Sequence, residues 1–229
     1  MPKDPPIKHW TFNKWQEPSI LLSVLLSGLS ILLAFIFPGW ITTCLLILTS
    51  VVLGIILYFF RDPDRMVNDQ QGLVVSPGDG EIVSIDRLKE DRYLHDETMR
   101  VSIFLSLFDV HVQRAPLGGK ITLVDRQPGK FLQAFRPEAS DVNEFIAMRI
   151  ETPYGSLLVK QIAGILARRC VNFAQPEDEV RTGERYGHIK FGSRVDLYLP
   201  LNAEIRVNIG DKVRGGLTPI AQLTQDRNE

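Results

Sequence analysis

Between Ser19 and Phe60 the chain carries no Asp, Glu, Lys or Arg, and no other feature constrains its fold as strongly. At about 1.5 Å per residue, about 20 helical residues span a hydrocarbon core of about 30 Å. The run holds two such lengths, Ser19–Phe37 and Ile41–Phe60, broken at Pro38-Gly39. Pro38 has no backbone N–H to give and Gly39 tolerates turn dihedrals, so a hairpin reverses there. Long helices of a soluble protein usually keep a polar face, which this run lacks. A cleaved signal peptide has a far shorter apolar core and a small-residue cleavage pattern. Lys3, Lys8 and Lys14 precede the first length, Arg61 and Arg65 follow the second, and Trp10, Trp15 and Trp40 sit near the interfaces. Positive residues at both ends and none in the turn put both ends in the cytosol. The expectation is a cytosolic segment at 1–18, a transmembrane helical hairpin at 19–60 in the cytoplasmic membrane, and a cytosolic domain at 61–229.

The 229 residues have a formal net charge of −1. That length allows one ordinary domain beside the hairpin. Near-neutral charge gives no electrostatic reason for a nucleic-acid partner, which draws on clustered Lys and Arg. Cys44 and Cys170 cannot build a disulfide framework or a cysteine-rich zinc site, and they fit a reducing compartment. After Asp62, short β-branched and aromatic runs alternate with turn signals. Leu73–Val75, Ser76–Gly80 (SPGDG) and Glu81–Ile85 read as strand, tight turn, strand. Further strands are expected at Met99–Phe108, Ile121–Asp125, Glu144–Glu151, Leu157–Ile162 and Arg194–Leu199, with a short one at Ile205–Asn208. Gly210–Gly216 (GDKVRGG) reads as a turn entering a last strand, and only Gln133–Glu144 leans helical. Such spacing predicts a mainly β domain, an antiparallel barrel or sandwich whose two glycine-rich turns resemble lipoyl-type hairpins.

No metal-ligand spacing, phosphate loop or nucleophile elbow is present. Three places could carry chemistry: Asp79 in SPGDG, His111 in Asp109–Pro116 (DVHVQRAP), and Ser193 in Phe191–Asp196 (FGSRVD). Each has an ordinary structural use. An Asp between glycines suits a turn, and a lone His at a strand end often serves as a hydrogen-bonding group. Gly-Ser pairs arise by chance, and this chain has two, Gly155-Ser156 and Gly192-Ser193. The first follows Pro153 in an expected hairpin turn. The second is flanked by Phe191 and Val195 in a strand-like run, where Gly admits a close approach. Spacing leaves a bulge and a reaction site both open.

In order, these motifs resemble the phosphatidylserine decarboxylase family in its short, membrane-anchored form. The likeness runs from Phe59–Pro63 (FFRDP) through Ser76–Gly80, Asp109–Pro116, Lys130–Glu144, Gly187–Pro200 and Gly210–Gly216. It implies a self-processing enzyme of phospholipid biosynthesis that depends on a pyruvoyl group and no metal. The chain would cut itself between Gly192 and Ser193, and Ser193 would become the pyruvoyl group of the smaller of two fragments. That carbonyl would take the amine of phosphatidylserine as a Schiff base and release phosphatidylethanolamine. By matching position, His111 handles the carboxylate and reprotonation, and Asp79 supports self-cleavage. One position departs from longer members, which carry a second histidine where this chain has Arg114. Arg114 then becomes a candidate for holding phosphate or carboxylate, or for a structural ion pair. The likeness leaves a homo-oligomer open. Two other classes stand beside it: a membrane-tethered lipoyl-like adaptor without catalysis, and a serine hydrolase, which the missing elbow disfavours.

Overall fold

The computed structural model describes residues 18–134, 136, 138–165, 169–190 and 193–224. Lys3, Lys8, Lys14, Trp10, Trp15, Phe191 and Gly192 lie outside the described residues. The described chain falls into two compact units, divided between Pro63 and Asp64.

The first unit is a pair of helices, α1 (Pro18–Ile36) and α2 (Trp40–Phe59). Their ends lie within one residue of the expected bounds, and both are long and apolar enough to cross a membrane. Gly39 is the N-cap of α2 in extended backbone. Thr42 and Thr43 donate their hydroxyls to its carbonyl at 2.9 and 3.0 Å. Polar side chains join the two helices: Ser30 Oγ lies 2.8 Å from Thr49 Oγ1, and Ser27 Oγ donates to the Thr49 carbonyl at 3.2 Å. An apolar setting offers such hydroxyls no water, so they bond to backbone or to each other.

The second unit is mainly β. Its elements in chain order are β1 (Leu73–Val75), β2 (Gly80–Glu90), β3 (Asp96–Leu105), β4 (Val112–Arg114), β5 (Gly119–Gln127), α3 (Ala139–Val142), β6 (Phe145–Thr152) and β7 (Gly155–Ile162). There follow β8 (Arg169–Asn172), β9 (Glu179–Val180), β10 (Arg185–Lys190), β11 (Ser193–Pro200), β12 (Glu204–Ile205), β13 (Lys212–Val213) and β14 (Pro219–Gln222). Eight strands form one antiparallel sheet in the order β13-β2-β3-β11-β7-β6-β5-β9. Two three-stranded sheets, β1-β14-β12 and β4-β10-β8, complete the unit.

Alternation along β11 sorts its side chains onto two faces, as a pleated strand must. Val195, Leu197 and Leu199 enter the main core with Val101, Ile103, Leu105, Tyr186 and Ile189. Tyr198 enters a second cluster with Tyr93, Phe145, Leu158 and Ile162. The main expected strands are present, the short one expected at Ile205–Asn208 falls instead at Glu204–Ile205, and three further differences of detail follow. β1 pairs with β14 and β2 with β3, so SPGDG joins two sheets and closes no hairpin. The run Met99–Phe108 stops as a strand at Leu105, where Asp109 Oδ2 accepts both the N–H and the hydroxyl of Ser106 and folds a turn. The helical leaning of Gln133–Glu144 shrinks to the single turn of α3.

Candidate active site

Ser193 opens β11, between β3 and β7, with Leu105 as its cross-strand partner. It is fully buried, and its Oγ has no hydrogen-bond partner among the described residues. Ser156, in the other Gly-Ser pair, is the contrast. Its hydroxyl donates to Glu151 at 2.6 Å and accepts from Arg149 at 3.2 Å in the β6–β7 hairpin.

Asp79 reaches the same end of the sheet through the SPGDG turn. A Cβ on Gly78 would lie 3.7 Å from Leu105 and 3.9 Å from Val195, so the turn rests on the strand pair that Ser193 begins. Gly80 has φ +153 and a Cβ there would fall 2.1 Å from the Phe104 carbonyl, so no other residue fits. Phe104 in turn faces Arg194. Two strand spacings, about 10 Å, thus separate the backbone beside Asp79 from the start of β11. The carboxylate is gripped from two sides. Arg65 forks onto it at 2.6 and 2.8 Å, and the Gly215 N–H donates at 2.8 Å. Arg65 also donates to the Gly215 carbonyl. The Ser76 carbonyl accepts the Gly216 N–H at 2.7 Å, so the two glycine-rich turns of the sequence meet here.

His111 lies in the connection from β3 to β4. Its Nδ1 is 2.9 Å from the Asp109 carbonyl, which only accepts, so Nδ1 carries the proton in this contact. In the neutral ring Nε2 is then the basic nitrogen. The His111 carbonyl accepts the Ile189 N–H at 3.2 Å and Gln113 Nε2 at 2.9 Å. His111 therefore sits beside the last residues of β10, just ahead of the segment that leads to Ser193. Gln113 is itself fixed by Gln161 Nε2 at 2.9 Å, and Gln161 on β7 pairs with Val195 on β11. Arg114 is buried, and its Nη1 donates to the Gly183 carbonyl at 3.2 Å while its backbone N–H bonds Pro77.

Register and turns thus gather Ser193, His111 and Asp79 around one end of β3 and β11, with Arg114 next to the SPGDG turn. Three parts of this corner went unassigned in the sequence. Arg65 reads there as a topology marker, although it clasps Asp79. His188, a second buried imidazole, faces Val112 across β10 and β4, a pairing that no linear spacing reveals. On the opposite face of β11, Arg194 and Asp196 form a buried ion pair at 2.6 Å. Ser140 donates to Asp196 at 2.7 Å and Arg194 donates to Ser102 at 2.6 Å. Beyond them, burial pushes the Tyr198 phenol far above its usual range, and the Asp196 carboxylate adds to the effect. No cluster of three or more metal-ligating side chains occurs among the described residues.

Comparison with known proteins decides the lineage. The phosphatidylserine decarboxylase profile matches residues 52–221. A phosphatidylserine decarboxylase proenzyme of Amoebophilus asiaticus is 44% identical over 191 residues, covering 82% of this chain and 84% of its own. The chain belongs to the phosphatidylserine decarboxylase family. Proteins of the same name from Desulfotalea psychrophila and Parabacteroides distasonis are each 42% identical, over 73% and 77% of this chain and 78% and 81% of theirs. The corner built by Ser193, His111 and Asp79 lies inside the stretch that the family profile covers.

Proposed function

We propose that this chain is a self-processing proenzyme that decarboxylates phosphatidylserine to phosphatidylethanolamine. The names of its relatives support the reaction, and their coverage supports carrying it to the whole chain. The observation that carries the mechanism is the Ser193 hydroxyl, buried at the head of a central strand without a partner among the described residues. A buried polar group left unmade costs about 1–3 kcal/mol, so its retention calls for a use.

That use is attack on the preceding carbonyl. Gly192 has no side chain to shield its carbonyl carbon from Ser193 Oγ. The O–C bond forms as the C–N bond breaks, and the hydroxyl proton passes to the freed amine. Loss of the Cα proton then breaks the Cβ–Oγ bond, releasing Met1–Gly192 as a carboxylate. The dehydroalanine left at position 193 takes up water and loses ammonia, leaving a pyruvoyl group at the head of Ser193–Glu229. When present, that group supplies a carbonyl which binds the substrate amine and accepts the electron pair left by carbon dioxide.

The chain's own residues do the rest. His111 offers Nε2 as a base and returns a proton to the substrate carbon, a role suited to an imidazole near neutral pH. Asp79 supports self-cleavage, with its orientation set by Arg65 and Gly215. The Arg114 bond to Gly183 supports a part in bracing the corner over a part in holding phosphate. Two membrane-length helices support anchoring in the cytoplasmic membrane, and Arg61 after α2 supports a cytosolic catalytic unit.

Intact-mass spectrometry tests the reading. Wild type and Ser156→Ala should each give two chains, the smaller carrying a pyruvoyl terminus, whereas Ser193→Ala should remain one inactive chain. An active, uncut wild type with an unmodified Ser193 would overturn it.

A further inference from the structure

A tight turn ordinarily carries Gly, Asn, Asp or Ser at its tip. The turn after β3 does not. Ser106 and Asp109 close it, with the Asp109 N–H bonded to the Ser106 carbonyl at 3.1 Å, and its two central residues are Leu107 and Phe108. They stand 42% and 75% exposed. The turn begins one residue after Leu105, the cross-strand partner of Ser193.

Two more loops at the same end of the sheet repeat the pattern. Ile165 is 49% exposed and follows Ile162, the last residue of β7, which faces Arg194 on β11. Phe131 is 39% exposed in the segment before α3. That segment is stitched to the start of β6 by the Glu144 N–H on the Lys130 carbonyl, and its Arg136 carbonyl accepts Arg194 Nη1 at 3.5 Å. Lys130 and Arg136, on either side of Phe131, are exposed cations. Exposed apolar side chains on three separate loops, one of them flanked by basic side chains, have the chemistry of an interfacial anchor. The rings and aliphatic groups enter the boundary of the acyl chains while the cations meet anionic head groups.

We propose that Leu107, Phe108, Phe131 and Ile165, with Lys130 and Arg136, form a docking rim that seats the Ser193 end of the β unit on an anionic phospholipid surface. This rests on the reading of the substrate as a membrane phospholipid. The hairpin would hold the chain at the bilayer, while the rim would set which end of the β unit faces it.

Spin labels test the rim on the full chain in phosphatidylcholine nanodiscs containing phosphatidylserine. Single cysteines replace Phe108, Phe131, Ile165 or Leu201 after Cys44 and Cys170 are changed to Ala. Leu201 is the control, an exposed apolar residue just past the opposite end of β11. Labels at 108, 131 and 165 should be accessible to oxygen and protected from a water-soluble nickel chelate, and the label at 201 should show the reverse. Equal nickel access at all four sites would overturn the proposal. So would strong dipolar coupling between rim labels with protection that does not depend on lipid, because the rim would then face a second copy. The same measurement on the uncut Ser193→Ala chain does not need catalysis, so a failed decarboxylase reading and a failed rim give different results.

Discussion

Arg194 is the first residue after the one proposed to be modified, and removing its charge should cost more than any surface ion pair could. Its Nε donates to Asp196 at 2.6 Å and its Nη2 to Ser102 at 2.6 Å, and both members of the ion pair are sealed from water. Arg194→Met keeps the length of the side chain but leaves the Asp196 carboxylate, among the described residues, with the Ser140 hydroxyl as its remaining side-chain hydrogen bond. Breaking one side of a buried pair costs about 3–5 kcal/mol, a large share of the about 5–15 kcal/mol that holds a domain folded. At about 2–4 °C per kcal/mol for a domain of this size, the melting temperature should fall by roughly 10 °C. Circular dichroism melting in the uncut Ser193→Ala background keeps self-cleavage out of the comparison. The double change Arg194→Met with Asp196→Leu removes both charges and should melt no lower than the single. A single variant within about 2 °C of its parent, or a double variant with the sum of two full losses, would refute the buried-pair argument.

Two further outcomes follow from the same geometry. Arg65→Gln removes the fork from Asp79, and self-processing followed by gel should slow about tenfold or more, because a charge-assisted pair is worth about 1.5–3 kcal/mol. An unchanged rate would separate the Arg65 clasp on Asp79 from cleavage. Glu90 titrates lower than usual: burial pushes it up, but the Leu94 and Tyr93 amides and Lys160 outweigh that. Its contribution is present above the unfolded value of about 4.3 and is lost as pH falls through the lower folded value. Glu90→Gln should therefore show a shallower fall in melting temperature below about pH 4.3. An acid limb identical to wild type would remove Glu90 from that dependence.

The sequence made the long elements legible because their signals are local. An uncharged run, a Pro-Gly break and alternating β-branched residues need no partner to be read, so α1, α2, β3, β6, β7 and β11 stand close to their expected places. What was lost is non-local. β4 and β9 are short, and β10 gains its meaning only from lying between β4 and β8. Asp79 and Ser193 were singled out as isolated positions, and no spacing in the chain shows that SPGDG rests on Leu105 and Val195. Arg65 lies 150 residues from the Gly215 carbonyl it bonds, and that distance hides its function. Charge type alone makes it a topology marker. The apolar tip at Leu107-Phe108 was absorbed into an expected strand, because Leu-Ser-Leu-Phe alternates as well as a real one does. The Asp109 side chain that ends the strand at Ser106 is a short-range signal that the period-2 pattern outweighed.

The placement of Ser193 at the head of β11 also explains how a chain could be cut there and stay folded. β11 is not an edge strand: it pairs with β3 from Ser193 to Pro200 and with β7 from Arg194 to Tyr198. Cleavage before Ser193 would remove only the covalent link from β10, which belongs to a different sheet. Every ladder bond and the Arg194–Asp196 pair would remain, and β14 would still lie between β1 and β12. The two faces of the strand then divide the work. On one, a hydroxyl without a partner among the described residues is held against the core, beside the loops that bring His111 and Asp79. On the other, an arginine and an aspartate bonded to each other, to Ser102 and to Ser140 would hold the next residues in place after such a cut. Moving the residue proposed to react one position along would exchange the faces and put its hydroxyl among the charges, so on the proposed mechanism the register of β11 matters as much as the identity of Ser193.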